Sequence, residues 1–498
     1  MRRLFEVYGT ADFLQRAAAE LKGPMMARRR IAFAMLTACV AAAVVYARME
    51  ARSETGIFAV DPPTPYVHYL PEGPSKGRVL VAHGLNATKD VMSLLSMALA
   101  DSGFEVYAID LPGHGDSTVG FDGLRASRAL SQTVDLLEAQ RGRLALVGHS
   151  FSGALVLDLA NERDFGDVVI IATAPTPVDR IRALRVLDIS GSFDIPRARE
   201  FAESLQSEPT LSGGHVEFYS IEWAGHTGPI FRPDVQKKIA AWLGGNASNI
   251  HTTARLVLLM TMGALSLMAG FLLLVRHGAT PGASVLIPSE HSSFGVEMFR
   301  YAAAAAGAVL ACAAFPQISS AFGVLGLGYL FAFLFFMGAL LFAIPGRARF
   351  SGSTAGTLVA VLAAAYLLAI PGAAVAGKLT HLAWSGGRLW RLPLMAVAAL
   401  PFFLADELSL GLINPRWKAG LLALLTRLVM TAAVVTGVLS FNREASVLLL
   451  LAIPFTGLWI GLWVAAEPVR QRTRSPFAAA LFAALIQASI LSAVAILV

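Results

Sequence analysis

Leu144-Ala145-Leu146-Val147-Gly148-His149-Ser150-Phe151-Ser152-Gly153 reads as a buried strand that runs straight into a sharp turn carrying a serine. Consecutive aliphatic residues fit a strand covered on both faces. Ala154 to Ala160 contains no breaker and reads as the start of a helix. A serine on such a turn needs small neighbours, because the backbone is strained and the helix packs close to the strand. Gly148 meets that need two residues before Ser150. Two residues after it stands Ser152 rather than glycine, a mild departure, since serine is small and Gly153 follows at once.

Similar runs lie on the amino-terminal side. Arg78-Val79-Leu80-Val81-Ala82 leads into His83-Gly84. Glu105-Val106-Tyr107-Ala108-Ile109 leads into Asp110-Leu111-Pro112-Gly113-His114-Gly115-Asp116-Ser117. Helical stretches fall between the runs, near 90–101 and 123–141. Strands alternating with helices predict a mostly parallel, doubly wound sheet. Function in such sheets gathers at the carboxyl ends of the strands, where all three motifs fall.

A serine hydroxyl is a weak nucleophile and needs an adjacent base. Val216 to Ile221 reads as a last strand, and Ala224-Gly225-His226-Thr227-Gly228 follows it before a helix from Asp234 to Leu243. Glycine on both sides frees the loop to present an imidazole, so His226 is the candidate base; His215 precedes its strand and is a weaker one. A third group must orient that imidazole. Asp194, in the turn after the strand Val186–Ile189, is the candidate, with Asp188 and Asp179 as rivals. The backbone N–H groups of Phe151 and Leu85 are the candidate oxyanion donors.

These motifs together resemble the α/β-hydrolase superfamily over residues 66–243. The resemblance rests on His83-Gly84, on the 110–117 motif, on Gly148 to Gly153, on Ser190-Gly191-Ser192-Phe193-Asp194 and on 224–228, all in family order. It implies the chain order Ser150, Asp194, His226 for the catalytic groups and structural roles for His83, His114 and His149. It also implies two-step acyl transfer without metal or cofactor. The superfamily holds lipases, thioesterases, peptidases, acyltransferases and haloperoxidases, so the fold alone names no substrate. Little sequence separates the strand Val168–Ala172 from the next at Leu184–Ile189, where a lid is usually inserted. The domain is therefore expected to be uncapped and open, which suits a lipid or amphiphilic ester.

Composition divides the 498-residue chain. Hydrophobic residues make up 55% and charged residues 15%, where soluble domains carry about 25% charged. The deficit lies beyond Thr253, in apolar runs near 254–275, 297–315, 321–344, 354–376, 392–413, 419–440, 446–466 and 477–498. Each is about long enough to span a bilayer. The expected layout is a basic extension at 1–30, a transmembrane signal anchor at 31–47, an α/β-hydrolase domain at 51–249 and an all-α polytopic membrane domain at 254–498 with about eight helices. Cleavage of the first run, or lipidation at Cys39 within Leu36-Thr37-Ala38-Cys39, are the alternatives; Met25 or Met26 is an alternative start.

The net charge of +6 is no nucleic-acid signature, because the arginines cluster at the ends of apolar runs. Arg28 to Arg30, Arg276, Arg347, Arg349, Arg416, Lys418, Arg470, Arg472 and Arg474 all fall on one side if the first span starts in the cytoplasm, as the positive-inside rule requires. One loop dissents: 377–391 places Lys378, Arg388 and Arg391 opposite, with Trp384 and Trp390 as interfacial anchors. The hydrolase-like domain is thus expected on the extracytoplasmic side of a bacterial inner (plasma) membrane, with membrane lipids and an ester or lipid substrate as partners.

Asp406 and Glu407 in one span, and Arg427 in the next, are ionisable groups at membrane depth, which usually face the bundle interior. Asn414-Pro415-Arg416-Trp417-Lys418 joins the two spans as a tight turn, so a hairpin brings Arg427 level with Asp406 or Glu407. Two functions compete: a membrane-bound serine esterase, or a transporter or lipid-handling protein whose hydrolase-like domain is regulatory or idle.

Overall fold

Valine, isoleucine and leucine dominate the short runs bounded by turn residues, and these runs pair into one eight-stranded sheet. Its strands are β1 (Ser53–Phe58), β2 (Thr64–Tyr69), β3 (Arg78–Ala82), β4 (Glu105–Ile109), β5 (Leu144–His149), β6 (Asp167–Ile171), β7 (Arg185–Gly191) and β8 (His215–Ile221). The spatial order is β1-β2-β4-β3-β5-β6-β7-β8. β2 runs antiparallel to both its neighbours, and the other pairs are parallel. The computed structural model describes residues 24–139, 143–173, 175–177, 181–194, 196–207, 215–274, 292–343, 354–376, 386–411, 413–442, 445 and 447–498. Asp179, Arg276, Arg347, Arg349, Lys378, Trp384, the side chain of Arg416 and residues 1–23 of the extension lie outside them.

Helices cover both sheet faces, as continuous apolar strands require. One face packs on α2 (Ser93–Asp101) and α6 (Pro233–Trp242), through Leu94, Leu95, Val235 and Ile239. The other packs on α3 (Gly123–Glu138), α4 (Phe151–Glu162) and α5 (Pro196–Ser207), through Leu130, Val134, Val156 and Leu205. β6 ends at Ile171 and β7 begins at Arg185, so the connection is short.

The helical region contains α1 (Pro24–Met49), which precedes the sheet, then α7 (Thr252–Leu274), α8 (Phe294–Ala314), α9 (Leu327–Ala343), α10 (Thr354–Leu367), α11 (Leu392–Gly411), α12 (Arg416–Phe441), α13 (Val447–Thr473) and α14 (Pro476–Ala493). Among the described residues eight helices are long and apolar enough to cross a membrane; α9 is a shorter apolar helix. The chain is a membrane protein. α1 and α7 pair, with the Cys39 thiol against the Met262 carbonyl. α14 is the most enclosed span, and its alanines let neighbouring helices approach closely.

Two spans differ from the sequence expectation. The run at 321–344 becomes helical only at Leu327, because Gly323 and Gly326 take positive φ and break it. The run at 477–498 ends as helix at Ala493. Leu497 then pairs with Val324 and reaches the sheet domain: its N–H donates to Gly113 O (3.0 Å) and its carbonyl accepts from Phe121 N–H (2.7 Å). Arg255 of α7 makes a second junction, donating to Met49 O and to Asp101 at the end of α2.

The charges at membrane depth are paired. Arg427 grips Asp406 with two bonds, of 2.7 and 2.6 Å, and Tyr301 donates to the same carboxylate at 2.6 Å. Glu407 does not meet Arg427; it takes two bonds from Arg470, at 2.5 and 2.7 Å. Adjacent helix positions diverge by about 100°, so two successive carboxylates face different neighbours. Asp406→Ala should cost about 3–5 kcal/mol, because it strands the Arg427 charge. Asp406→Ala combined with Arg427→Leu should recover part of that loss, measured as thermal unfolding in detergent.

Candidate active site

Ser150 joins β5 to α4 at φ 55, ψ −115, a conformation rare outside glycine. Its N–H donates to Ile171 O (2.8 Å), extending the sheet, while its carbonyl already accepts from Gly153 N–H (3.0 Å) in the helix. A Cβ on Gly148 would lie 2.6 Å from Ser152 O, and one on Gly153 would lie 2.2 Å from Thr173 Oγ1. Neither position has room for a side chain. Ser152 fits where glycine was expected, because its hydroxyl donates to Ala82 O (2.7 Å) and accepts from His149 N–H (3.1 Å). It thereby bridges β3 and β5.

The three groups singled out from sequence meet in space. His226 Nε2 lies 2.8 Å from Ser150 Oγ, and His226 Nδ1 lies 2.7 Å from Asp194 Oδ1. The second oxygen of Asp194 accepts from Ser190 Oγ at 3.2 Å. The loops bearing acid and base are laced together: Phe193 N–H donates to Ala224 O (2.9 Å), and Trp223 N–H donates to Ser192 Oγ (2.9 Å). Phe193 and Trp223 then project outward, 64% and 82% exposed, edge to face with centroids 5.5 Å apart.

The Phe151 N–H opens α4, where no carbonyl precedes it to accept a helical bond. On the opposite side, a Cβ on Gly84 would lie 2.9 Å from Ser150 Cβ. The backbone leading to Leu85 therefore abuts the serine. His83 and His114 hold loops rather than reach the serine. His83 Nε2 accepts from Leu111 N–H (3.1 Å), so its Nδ1 carries the proton and donates to Gly84 O (2.8 Å). His114 Nδ1 lies 2.8 Å from Pro112 O; burial, reinforced by nearby His83, pushes it down to about 3 and keeps it neutral. His149 Nε2 contacts His226 O at 3.2 Å. His215 stacks on Trp242, away from the site.

Sequence reading missed Lys89. Its ammonium is buried between Asp110 and Asp116, 2.6 Å from each. Burial is the largest single influence and works against that charge, but Asp110, Asp90 and Asp116 together outweigh it and hold the ammonium above its ordinary value. The pair fastens the 83–90 loop to the 110–117 loop. No residue type in Asn86-Ala87-Thr88-Lys89-Asp90 distinguishes a buried lysine from a solvated one. Among the described residues no group of His, Cys, Asp or Glu could hold a metal ion.

Asp188, the rival acid, sits in β7 away from His226. Burial, with Asp194 adding to it, raises its carboxyl to about 8, and Oδ2 has no hydrogen-bond partner. A carboxyl raised in the folded state stabilises fully below its unfolded pKa and loses that contribution as pH rises through about 8. Asp188→Asn should therefore gain stability relative to the wild type as pH rises from about 4 to about 8. Thermal unfolding midpoints across that range check this, and parallel curves for the two proteins would refute it.

Residues 79–208 match the Alpha/beta hydrolase family. A relative from Mycobacterium tuberculosis, Lipase LipV, is 27% identical over 189 residues, which cover 36% of this chain and 62% of that relative's length. Similar solved structures include an alpha-beta serine hydrolase homologue from Coxiella burnetii (17% identity, 38% of this chain and 95% of that one, TM-score 0.33). Another is the Paleococcus ferrophilus monoacylglycerol lipase (20% identity, 37% and 98%, TM-score 0.31). With its eight-stranded, mostly parallel sheet and its match to the family model across β3 to α5, the sheet-bearing part of this chain has the α/β-hydrolase fold.

Proposed function

We propose that this protein is a membrane-bound serine hydrolase that cleaves the carboxylic ester of a lipid or amphiphile through an acyl-enzyme on Ser150. The observation that carries the reading is the continuous hydrogen-bonded chain Ser150–His226–Asp194. In this reading His226 Nε2 takes the proton as Ser150 Oγ attacks the carbonyl, and Asp194 holds the imidazole and stabilises its cation. The N–H groups of Phe151 and Leu85 receive the oxyanion. His226 then protonates the leaving alcohol. In the second half it takes a proton from water, which attacks the acyl-enzyme and frees the acid and Ser150.

The exposed Phe193–Trp223 pair beside the acid and base supports an apolar substrate, since exposed aromatic surface next to a site is suited to apolar contact. The short β6–β7 connection supports an open site, and the relative named a lipase points the same way. The buried ionic groups of α11, α12 and α13 favour a second reading, in which the helical region moves or presents a lipid. Labelling with a fluorophosphonate separates the two. Wild-type protein in detergent should label, and Ser150→Ala should lose the label together with about 10⁴-fold or more of its esterase activity. An unlabelled wild type would favour the second reading.

The reading places the hydrolase domain on the extracytoplasmic face of a bacterial inner membrane. Arg28 to Arg30 open α1, whose far end leads into the sheet. Arg472 closes α13 with Arg474 just beyond it, both exposed, and the next helix returns to the sheet domain. Basic ends thus lie across the bilayer from the sheet. Glu72→Cys on the exposed sheet domain should react with a membrane-impermeant maleimide added outside spheroplasts. Gln471→Cys should react only after lysis; the opposite pattern would invert the topology.

A further inference from the structure

The loop from Asp110 to Phe121 is held by two parts of the chain. Toward the active site, Asp110 and Asp116 bind Lys89 in the loop that bears Leu85. The Phe121 ring packs edge-on against Phe151, with centroids 5.7 Å apart. Away from the site, Phe121 and Gly113 exchange backbone bonds with Leu497. At the centre of that contact lies Arg388, from the short helix Gly386–Leu389, 1% exposed. Its guanidinium donates to Gly113 O (2.9 Å), to Gly115 O, and twice to Ala495 O (2.8 and 3.1 Å). Ser492 Oγ donates to the Arg388 carbonyl at 2.5 Å, which fixes the residue at its base.

We propose that Arg388 is a positioning residue of the active site, through which the helical region sets the placement of both candidate oxyanion donors. This rests on the serine-hydrolase reading above. Arginine suits the task because its rigid fork of five donors can hold several carbonyls at fixed angles, which a lysine ammonium cannot. The fork joins Gly113 and Gly115 to Ala495 directly. From there one branch runs through Asp110, Asp116 and Lys89 to the loop of Leu85. The other runs through Phe121 to Phe151, the residue after the nucleophile. Both donors therefore lean on a loop whose outer face is shaped by the helical region. Displacing a positioning element by about 1 Å can cost on the order of 100-fold in rate, so the coupling is large enough to read.

The test uses the full chain in detergent, wild type beside Arg388→Gln, Arg388→Lys and Leu497→Pro. The proline removes the N–H that Leu497 donates to Gly113 and leaves Arg388 in place. Active sites are titrated with a fluorophosphonate, and kcat and KM are measured on a soluble p-nitrophenyl ester. Affinity is measured for a trifluoromethyl ketone, whose adduct on serine carries an oxyanion. The expected result in Arg388→Gln is a fall of at least about tenfold in kcat per titrated site, a KM within about twofold, and a ketone affinity that weakens in step with kcat. Lysine should not restore the rate, and Leu497→Pro should show the same pattern. A purely structural role would lower the number of titratable sites and leave kcat per site and ketone affinity unchanged; that result in either folded variant overturns the proposal. Should Arg388→Gln yield no titratable site, Leu497→Pro decides alone. A wild type that neither labels nor hydrolyses would instead refute the underlying hydrolase reading.

Discussion

Ser150 sits in a backbone conformation that costs about 1–3 kcal/mol and persists only where its surroundings force it. The forcing is visible on every side. The Ile171 carbonyl takes its N–H as a continuation of the sheet, and Gly153 takes its carbonyl as the start of a helix. A residue caught between two such ladders has no relaxed alternative. The arrangement aims the hydroxyl at His226 and leaves the first N–H groups of α4 facing the same space, where the positive end of the helix dipole favours developing negative charge. The parallel order of β3, β5 and β6 serves that turn, since it brings Ala82 close enough to bond Ser152 and sets the Gly84 backbone against the serine.

Strands with continuous aliphatic runs were legible in sequence, because burial on both faces leaves one reading. β1 and β2 were not. Ser53–Phe58 lies largely exposed at the sheet edge, and Thr64–Tyr69 mixes histidine and tyrosine with a proline. α5 was missed for a similar reason: Pro196–Ser207 is rich in charge and offers only a narrow apolar stripe. At the site, Ser150, Asp194 and His226 were legible because each sits beside small residues in a turn after a strand. Lys89 and Phe121 were not, because their importance lies in partners distant in sequence, and no local pattern announces such a partner.

The helical region shows the same division between depth and partner. Two helices joined by a tight turn bring residues equally far from the turn to the same level, and that geometry put Arg427 opposite Asp406 and Glu407. It could not choose between them. The choice follows from rotation about the α11 axis, which turns Asp406 toward Tyr301 and Arg427 and Glu407 toward Arg470. Arg470 was read as a topology signal at the end of a span, yet it is drawn inward to pair with Glu407 and Glu467. An arginine at a span end can thus serve to neutralise a buried carboxylate, and Arg470 does so.

The loop that contradicts the positive-inside pattern follows from the same reasoning. Arginine biases topology as a solvated charge near the lipid surface. Arg388 is not solvated: its guanidinium is buried and spent on carbonyls of Gly113, Gly115 and Ala495. Arg391 donates to Phe322 O at 3.0 Å and lies over the Trp390 ring. Arg388 belongs to the junction between the sheet and the helices, while Arg391 is held within the helical region. A cation committed to such a junction must lie on the same side as the sheet, whichever face of the membrane that is. For Arg388 the apparent exception is therefore a consequence of where the sheet domain docks against the helices.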